Sequence, residues 1–246
     1  MKTRATIVGV TTAWLILVSS AYCHAATQAR FRAETIQNDP SLRISAGSGH
    51  ACMIKEGGTV SCWGHNDAGQ LGDRTLTDFS APVDVVGLTS VVGIAAGGSH
   101  TCALLSDGTA RCWGAGASGQ LGNNGTVTKQ LVPVVVSGLT GAVSVAAGGA
   151  HTCALLGDGS VRCWGSNGAG QLGDNTSSNR LVPVVVSGLS GAVAITAGNQ
   201  HTCALLATGA ARCWGFNATG QLGDGTTVPR RTPVLVADLD RAIAIA

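Results

Sequence analysis

Histidine and cysteine recur in this chain at fixed spacing, and both residue types can bind a metal or support catalysis, while cysteine can also form disulfides. Each copy of the pattern places a histidine two residues before a cysteine, and a second cysteine follows ten residues after the first. The copies begin at His50, His100, His151 and His201. One histidine and two cysteines per copy could bind zinc, but the Cys-x-x-Cys spacing of structural zinc sites is absent. The pattern therefore favours one disulfide per copy over a metal site.

The residues between the two cysteines predict the hairpin that must bring them together. In the third copy, Cys153 and Cys163 are symmetric about Asp158. A three-residue loop over 157–159 places the cysteines directly opposite each other, with Cα atoms about 4.5 Å apart, and a disulfide accepts this separation. Such loops need a residue in the left-handed region, commonly glycine. Every copy supplies that glycine: Gly58, Gly108, Gly159 and Gly209.

The first 25 residues have the features of a secretory signal peptide. Lys2 and Arg4 give a basic start, residues 7–18 are mostly apolar, and Cys23–Ala25 offers a small-residue cleavage site. An uncleaved anchor is the alternative, although the apolar run is shorter than the roughly 20 residues that span a bilayer. Residues 26–40 are polar and are predicted to form a flexible leader. We expect a secreted or periplasmic protein with no membrane attachment after cleavage.

Secretion agrees with the cysteine count. The chain has nine cysteines, and removal of the signal peptide with its one cysteine leaves an even set, as expected for disulfides formed in an oxidising compartment. The predicted disulfides are Cys52–Cys62, Cys102–Cys112, Cys153–Cys163 and Cys203–Cys213.

Each copy belongs to a repeat of 50 or 51 residues that predicts four strands. In the third repeat, residues 142–146, 151–156 and 160–164 are strand-like and are separated by glycine-containing turns. The fourth strand, 181–186, contains Pro183, which indicates an edge because proline cannot donate to a ladder. Four antiparallel strands per repeat are typical of a β-propeller blade. We predict an all-β propeller over 41–246, with blades near 44–90, 91–141, 142–191 and 192–240.

Other repeated residues are expected to hold the blades together. The histidines should hydrogen-bond backbone of a neighbouring turn, and a metal-binding ring of histidines is the alternative. Tryptophans are expected to fill the core between blades; they are Trp63, Trp113, Trp164 and Trp214. Glutamines are expected to fix turns by satisfying backbone groups; they are Gln70, Gln120, Gln171 and Gln221.

The ordered motif Gly-Gly-x-His-Thr-Cys-Ala-Leu-Leu-x-Asp-Gly-x-x-x-Cys-Trp-Gly, followed by Gly-Gln-Leu-Gly, closely resembles the RCC1 (regulator of chromosome condensation) repeat. The resemblance covers about residues 41–240 in four copies. Members of this family form seven-bladed β-propellers. The best-known member is a nuclear guanine nucleotide exchange factor that acts on chromatin, and secreted bacterial relatives include an inhibitor of β-lactamases. The resemblance implies an RCC1-type propeller of the secreted bacterial kind.

The chain departs from the family pattern in its repeat number and its cysteines. It carries four full repeats instead of seven, and residues 243–246 match the opening strand of another repeat. Its paired cysteines and signal peptide are unlike the nuclear member. We expect four complete blades plus the start of a fifth, with self-association through open blade edges, because unpaired edge strands pair with other chains.

Charge and motif content exclude several function classes. Without Lys2 and Arg4 the chain has 13 basic and 13 acidic residues, and it lacks the basic stripe expected of a nucleic-acid-binding protein. No nucleophile elbow, phosphate-binding loop or calcium motif is present. We therefore expect no catalytic site, no metal site, no cofactor and no nucleic-acid partner.

Sequence differences between repeats concentrate in loops, and loops on a rigid scaffold carry binding specificity. The candidate binding residues are His65, Asn66, Asp67, Phe79, Asn167, Phe216 and Asn217. We predict a secreted, non-catalytic scaffold that binds a protein partner through these loops. Two alternatives stay open: a guanine nucleotide exchange factor or chromatin adaptor like the nuclear family member, and a secreted inhibitor of a hydrolase such as a β-lactamase.

Overall fold

The computed structural model describes residues 44–239 and 241–246. Sixteen strands in this part of the chain form four sheets, and each sheet contains four antiparallel strands. The helical structure assigned within these residues is a single turn of 3-10 helix at Glu56–Gly58. The all-β prediction and the four blades are therefore confirmed. The predicted signal peptide, 1–25, and leader, 26–40, lie outside the described residues.

Each blade consists of four consecutive strands. The first blade contains β1 (Ile44–Ala46), β2 (His50–Ile54), β3 (Val60–Gly64) and β4 (Phe79–Asp84). The second contains β5 (Val91–Ala96), β6 (His100–Leu105), β7 (Ala110–Ala115) and β8 (Lys129–Val135). The third contains β9 (Ala142–Ala147), β10 (His151–Leu156), β11 (Val161–Gly165) and β12 (Arg180–Val185). The fourth contains β13 (Ala192–Ala197), β14 (His201–Leu206), β15 (Ala211–Gly215) and β16 (Arg230–Leu235).

The strand order follows the sequence in every sheet, so the fourth strand of each blade lies at an edge. This position explains the proline in the fourth strand, exemplified by Pro183, because an edge strand has one side free of ladder hydrogen bonds. The strand bounds predicted for the third repeat agree with the structure to within one residue at every end.

The hairpin between the second and third strands has the predicted register. Cys153 lies directly opposite Cys163, and the equivalent cysteines are paired in the other blades. All four pairs form disulfides, with Cα–Cα separations of 4.0–4.1 Å. The turn glycine has a positive φ in every blade, for example +79° at Gly159. A three-residue turn therefore sets the register that allows each disulfide to form.

Consecutive blades pack against each other through their first strands and bury a tryptophan between them. Trp113 of the second blade lies in the same apolar cluster as Cys52, Cys62 and Leu71 of the first blade. Trp164 and Trp214 occupy the equivalent clusters at the next two junctions. The disulfides thus contribute to the core between blades, where the tryptophans were predicted to lie.

Residues 241–246 follow the fourth blade without forming a strand. Ile243 is 96% exposed, whereas Ile245 packs partly against Leu222. One backbone hydrogen bond, from Ala242 N to Gly209 O at 3.0 Å, repeats a bond that the earlier blades also make at this position. The predicted start of a fifth blade is therefore represented by packing and a single hydrogen bond rather than by a strand.

Candidate functional site

The repeated polar residues meet at the junction between blades. At the first junction, the imidazole Nε2 of His50 lies 2.8 Å from the hydroxyl oxygen of Thr101. That hydroxyl donates to the carbonyl oxygen of Gln70 at 2.9 Å, and the indole Nε1–H of Trp113 donates to the same oxygen at 2.8 Å. Histidine and glutamine come from one blade, and threonine and tryptophan come from the next.

The direction of these bonds fixes the tautomer of the histidine. The hydroxyl proton of Thr101 is committed to Gln70, so Nε2 of His50 must donate to the threonine oxygen. A neutral ring that is protonated at Nε2 leaves Nδ1 as a bare acceptor. Nδ1 of His50 is buried and has no hydrogen-bond partner. The junction therefore holds a neutral imidazole in the Nε2–H form.

The second and third junctions repeat this arrangement. His100 lies 2.9 Å from Thr152, and His151 lies 2.9 Å from Thr202. Both imidazoles are fully buried. Desolvation lowers the pKa of His100 to about 3 and that of His151 to about 4, with the neighbouring histidines as a smaller cause. His50 follows the same trend, with its pKa lowered to about 4 mainly by burial.

These junctions account for the repeated histidines and glutamines. The predicted histidine partner, backbone of a neighbouring turn, is wrong, because the partner is a threonine hydroxyl of the next blade. The predicted turn-fixing glutamine is correct: the side-chain Oε1 of Gln70 accepts from Ala68 N at 2.9 Å, and its equivalents do the same. The cysteines bonded in disulfides leave no thiolate for the alternative zinc site in these hairpins.

The outer blades present the same residues without a complete junction. Trp63 of the first blade is partly exposed, whereas its three equivalents are fully buried. Ala51 occupies the position of the junction threonines. His201 of the fourth blade is also partly exposed, and burial lowers its pKa.

The loop between the third and fourth strands of a blade is braced from inside by a buried asparagine. In the first blade, the side-chain Nδ2 of Asn66 donates to Asp73 Oδ1 at 3.2 Å and to Thr75 O at 3.1 Å, while its Oδ1 accepts from Leu71 N at 2.9 Å. Asn167 and Asn217 make the corresponding bonds in the third and fourth blades.

The burial of these asparagines corrects part of the predicted binding set. Asn66, Asn167 and Asn217 are each 0% exposed, so a partner protein cannot contact their side chains. They were selected because they lie in loops that vary, yet the amide recurs in three of the four blades to satisfy loop backbone. An Asp–Arg ion pair adds to the brace in the last two blades, with Asp174–Arg180 and Asp224–Arg230 both at 2.7 Å.

Two predicted residues of the first loop lie at the surface as a charged cluster. His65 Nε2 is 3.1 Å from a carboxylate oxygen of Asp67, and His65 Nδ1 is 3.2 Å from one of Asp78. The hydrogen bond to Asp78 raises the pKa of His65 above its ordinary value, and the charge of Asp67 adds to this effect. The cluster is exposed and can contact a partner. Asp78 was not among the predicted residues.

The two predicted phenylalanines are both partly buried but have different surroundings. Phe79 begins β4 and packs against the apolar cluster of the first junction. Phe216 follows β15 and lines an open cleft between the third and fourth blades, together with Arg231 and Gln200. Phe216 is therefore presented at the loop surface, whereas Phe79 contributes to packing.

Exposed apolar residues of the same loops were missed by the sequence analysis. Leu76 is 47% exposed, Val127 is 46% exposed and Val228 is 56% exposed, and each lies in the loop that precedes the fourth strand of its blade. The third blade has Ser178 in the matching stretch. The recurrence of an apolar residue in this stretch of three otherwise polar loops is the sequence signal that could have found them.

Across residues 44–239 and 241–246, no group of three or more His, Cys, Asp or Glu residues is placed to hold a metal ion. In the same part of the chain, no helix is long and apolar enough to cross a membrane. The described loop surface combines hydrogen-bonded loops, a charged cluster, an aromatic cleft and exposed apolar side chains, which is the chemistry of a binding surface.

Known proteins of similar sequence or fold share this blade architecture. The chain is 34% identical over 136 residues to the ultraviolet-B receptor UVR8 of Arabidopsis thaliana, a match that covers 54% of this chain and 31% of UVR8. Yeast RCC1 (Prp20), in its crystal structure bound to Kap60, superposes with a TM-score of 0.73 and 25% identity over 79% of this chain and 48% of the other. The structure of Prp20p from Saccharomyces cerevisiae, studied for binding to Gsp1p and histones, gives a TM-score of 0.71 and 26% identity over 79% of this chain and 50% of the other.

The chain thus spans about a third of UVR8 and about half of the yeast chains that it matches. The sequence model of the RCC1-like domain matches residues 20–246, which is most of the chain. With its repeated motif, its four-stranded blades and these relatives, the chain belongs to the family of RCC1-like domain proteins.

Proposed function

We propose that this protein is a secreted, non-catalytic β-propeller scaffold that binds a protein partner through the loops preceding the fourth strands. One observation carries the proposal. At the three junctions the repeated residues are buried and hydrogen-bonded, whereas side chains that differ between blades are exposed on the loops before the fourth strands. A rigid frame with a variable rim suits recognition, because little ordering entropy is lost on binding.

The related yeast protein supports a role in protein binding. Prp20 has been crystallised with Kap60, and its binding to Gsp1p and to histones has been studied. The neutral charge of this chain beyond its first residues disfavours a chromatin partner, since nucleic-acid and nucleosome surfaces attract basic proteins. We therefore propose a partner outside the nucleus.

The exposed loop apolar residues give a direct test. A variant that combines Leu76→Ser, Val127→Ser and Val228→Ser copies the serine of the third blade into the other three loops. The matched control removes apolar residues that are equally exposed on strands, Val135 at 52% and Val185 at 54%. The full-length protein and both variants are immobilised and cross-linked to the extracellular protein fraction of the source organism.

We expect the wild type and the strand control to capture the same protein and the loop variant to lose it. Equal capture by all three would contradict a role for the loops. Two further assays separate the alternatives. Stimulated release of guanine nucleotide from a GTPase would favour an exchange factor, and inhibition of a secreted β-lactamase would favour a hydrolase inhibitor.

Secretion is supported by the four disulfides and by the signal-like composition of residues 1–25. We expect the mature protein to begin close to residue 26 and to contain no free thiol. Amino-terminal sequencing and thiol titration of the denatured, unreduced protein test both statements. Several free thiols, or recovery of the protein from the cytosol, would oppose secretion.

Self-association is proposed for the 246-residue chain in solution. The outer face of the fourth blade has an apolar cavity of about 220 Å³ lined by residues such as Leu205, Cys213, Leu222 and Ile245, and Trp63 is partly exposed on the first blade. Contact between such faces of two molecules would cover both. Light scattering is expected to show a dimer or larger species, and a compact monomer that binds no apolar dye would oppose this proposal.

A further inference from the structure

The cleft between the third and fourth blades differs in chemistry from the rest of the loop surface. It is open, has a volume of about 520 Å³, and is lined by residues that include Ser166, Gln171, Gln200, Phe216 and Arg231. These side chains offer a hydroxyl, two amides, one aromatic ring and one guanidinium. Among the described residues that line the cleft there is no carboxylate, so its one charged group is a cation.

Arg231 occupies a position that leucine fills at the preceding junctions. The carbonyl oxygen of Leu131 accepts from Arg74 N at 3.2 Å, and that of Leu181 accepts from Asn124 N at 3.0 Å. The carbonyl of Arg231 accepts from Asn175 N at 3.0 Å in the same way. The backbone therefore accepts the same hydrogen bond at all three junctions. In the fourth blade, a guanidinium side chain replaces the apolar side chain of leucine.

The stem and head of Arg231 have separate environments. The Cγ of Arg231 packs beside Gly170, as the leucine side chains pack beside Gly69 and Gly119. The residue as a whole is exposed, and within the described part of the chain its guanidinium is in no ion pair. Its neighbour Arg230 is bound to Asp224 at 2.7 Å. Arg231 therefore lines the cleft with a packed stem, and no carboxylate of the described residues compensates its charge.

The other two junctions lack the combination of Phe216 and Arg231. At the first junction, the ammonium group of Lys129 donates to the carbonyl oxygen of Asp67 at 2.6 Å and so bridges the two blades. At the second junction, Ala115 and Ser166 take the places that Ser166 and Phe216 have at the third junction. Leu181 takes the place of Arg231. An aromatic ring and an unpaired guanidinium thus occur together at the fourth blade.

We propose that this cleft binds an aspartate or glutamate side chain within an acidic segment of the partner protein. Arg231 presents a planar fork of donors that matches a carboxylate. Phe216 provides an apolar wall for the aliphatic part of the segment, and Gln200 and Ser166 can hydrogen-bond its backbone. The inference rests on the proposed function and names the chemistry that this part of the loop surface recognises.

The probes are two fluorescein-labelled peptides. One consists of three Gly-Leu-Glu repeats, and its twin has Gln in place of each Glu. Fluorescence anisotropy measures their binding to the full-length, disulfide-bonded protein. Arg231→Leu is the main variant, because leucine is native at this position in two blades. Arg162→Leu removes the same charge from β11, near the hairpin turn of Asp158 and away from the loops. Arg231→Gln replaces the main variant if Arg231→Leu fails to fold.

We expect the Glu peptide to bind, the Gln twin to bind at least about tenfold more weakly, and salt to weaken the Glu peptide selectively. Arg231→Leu should lower affinity for the Glu peptide by about tenfold or more, and Phe216→Ser should lower it by a smaller factor, while Arg162→Leu should leave it unchanged. Equal binding of the two peptides, an Arg231→Leu protein that binds like the wild type, or an equal loss in Arg162→Leu would overturn the proposal.

Three more outcomes distinguish this inference from a small-anion site and from the proposed function. Displacement of the Glu peptide by inorganic phosphate at the peptide's own concentration would show a small-anion site and overturn the proposal. If Arg231→Leu still captures the partner while the loop variant with serines at 76, 127 and 228 does not, this inference fails and the proposed function stands. If the loop variant captures the partner normally, the proposed function itself fails.

Discussion

The buried junctions and the exposed loops of this propeller use polar side chains in opposite ways. At the junctions, His100, Thr152, Gln120 and Trp164 form a closed set of hydrogen bonds that repeats from blade to blade. On the loops, charged and apolar groups such as His65, Arg231 and Val228 stay exposed and differ between blades. The junction residues therefore stabilise the frame, and the residues that a partner can touch lie on the loops.

Lowering the pH should reduce the free energy of unfolding by more than any single junction substitution does. The pKa of His50, His100 and His151 is lowered by burial from 6.5 to about 4, about 3 and about 4, respectively. Between these values and 6.5 the unfolded chain binds protons that the folded chain does not, so stability falls as pH decreases through this window. The shift has the same direction at all three junctions, so each buried histidine adds to the loss of stability in acid.

Denaturant unfolding with intact disulfides, measured from about pH 7.5 down to about pH 4, tests this expectation. The free energy of unfolding should decline steadily below about pH 6.5. A Thr152→Val protein should show the same direction of change, since burial rather than the hydroxyl is the main cause of the lowered pKa. A free energy of unfolding that does not change across this range would show that the junction histidines are protonated as readily in the folded protein as in the unfolded chain.

Trp164→Ala should be the most damaging single substitution at a junction. The indole is fully buried, and its Nε1–H donates to Gln120 O at 2.9 Å. Removal of a buried tryptophan costs about 3–5 kcal/mol, because the lost contacts leave a cavity. The matched control is Trp63→Ala at the partly exposed equivalent in the first blade, where a smaller loss is expected. Equal losses measured by urea unfolding would contradict the contrast between inner junctions and the outer face.

The sequence predicted much of this frame because its signals are local and repeated. The spacing of Cys153 and Cys163 around a glycine in the left-handed region determined the hairpin register, and Pro183 marked the edge strand. The histidine partner was predicted incorrectly because the Thr152 hydroxyl lies in the next blade, 52 residues from His100. A contact of that separation cannot be inferred from the pattern within one repeat.

The loop surface was less predictable for a different physical reason. Asn66 and its equivalents were selected because they lie in loops that differ between repeats, but their amides are buried and satisfy loop backbone. Conversely, Val228 is apolar and was overlooked, although it is 56% exposed. In a loop that lacks its own ladder hydrogen bonds, buried amides replace those bonds, so side-chain polarity alone does not indicate which residues reach the solvent.

Thr152→Val should have an intermediate effect. Valine keeps the shape of threonine but removes the hydroxyl, which leaves Nε2–H of His100 without an acceptor and Gln120 O with one donor instead of two. A buried group left without its partner costs about 1–3 kcal/mol. Thr152→Ser retains the hydroxyl and should cost less. If the two variants unfold at the same urea concentration, the hydroxyl chain contributes little to the junction.

His65→Ala should have the smallest effect and the opposite pH dependence. Hydrogen bonding to Asp78 raises the pKa of His65, so any stabilisation by this group is present below its unfolded value of 6.5 and is lost as pH rises through the folded value. Because the cluster is exposed, His65→Ala should shift the melting temperature by no more than about 2 °C, and more at about pH 5.5 than at about pH 8. The decline caused by the junction histidines is common to both proteins and cancels in the difference. Histidine resonances followed by NMR should then show His65 titrating above 6.5 and His100 below it; if both titrate on the same side, the loops and the junctions do not differ in the way that this structure indicates.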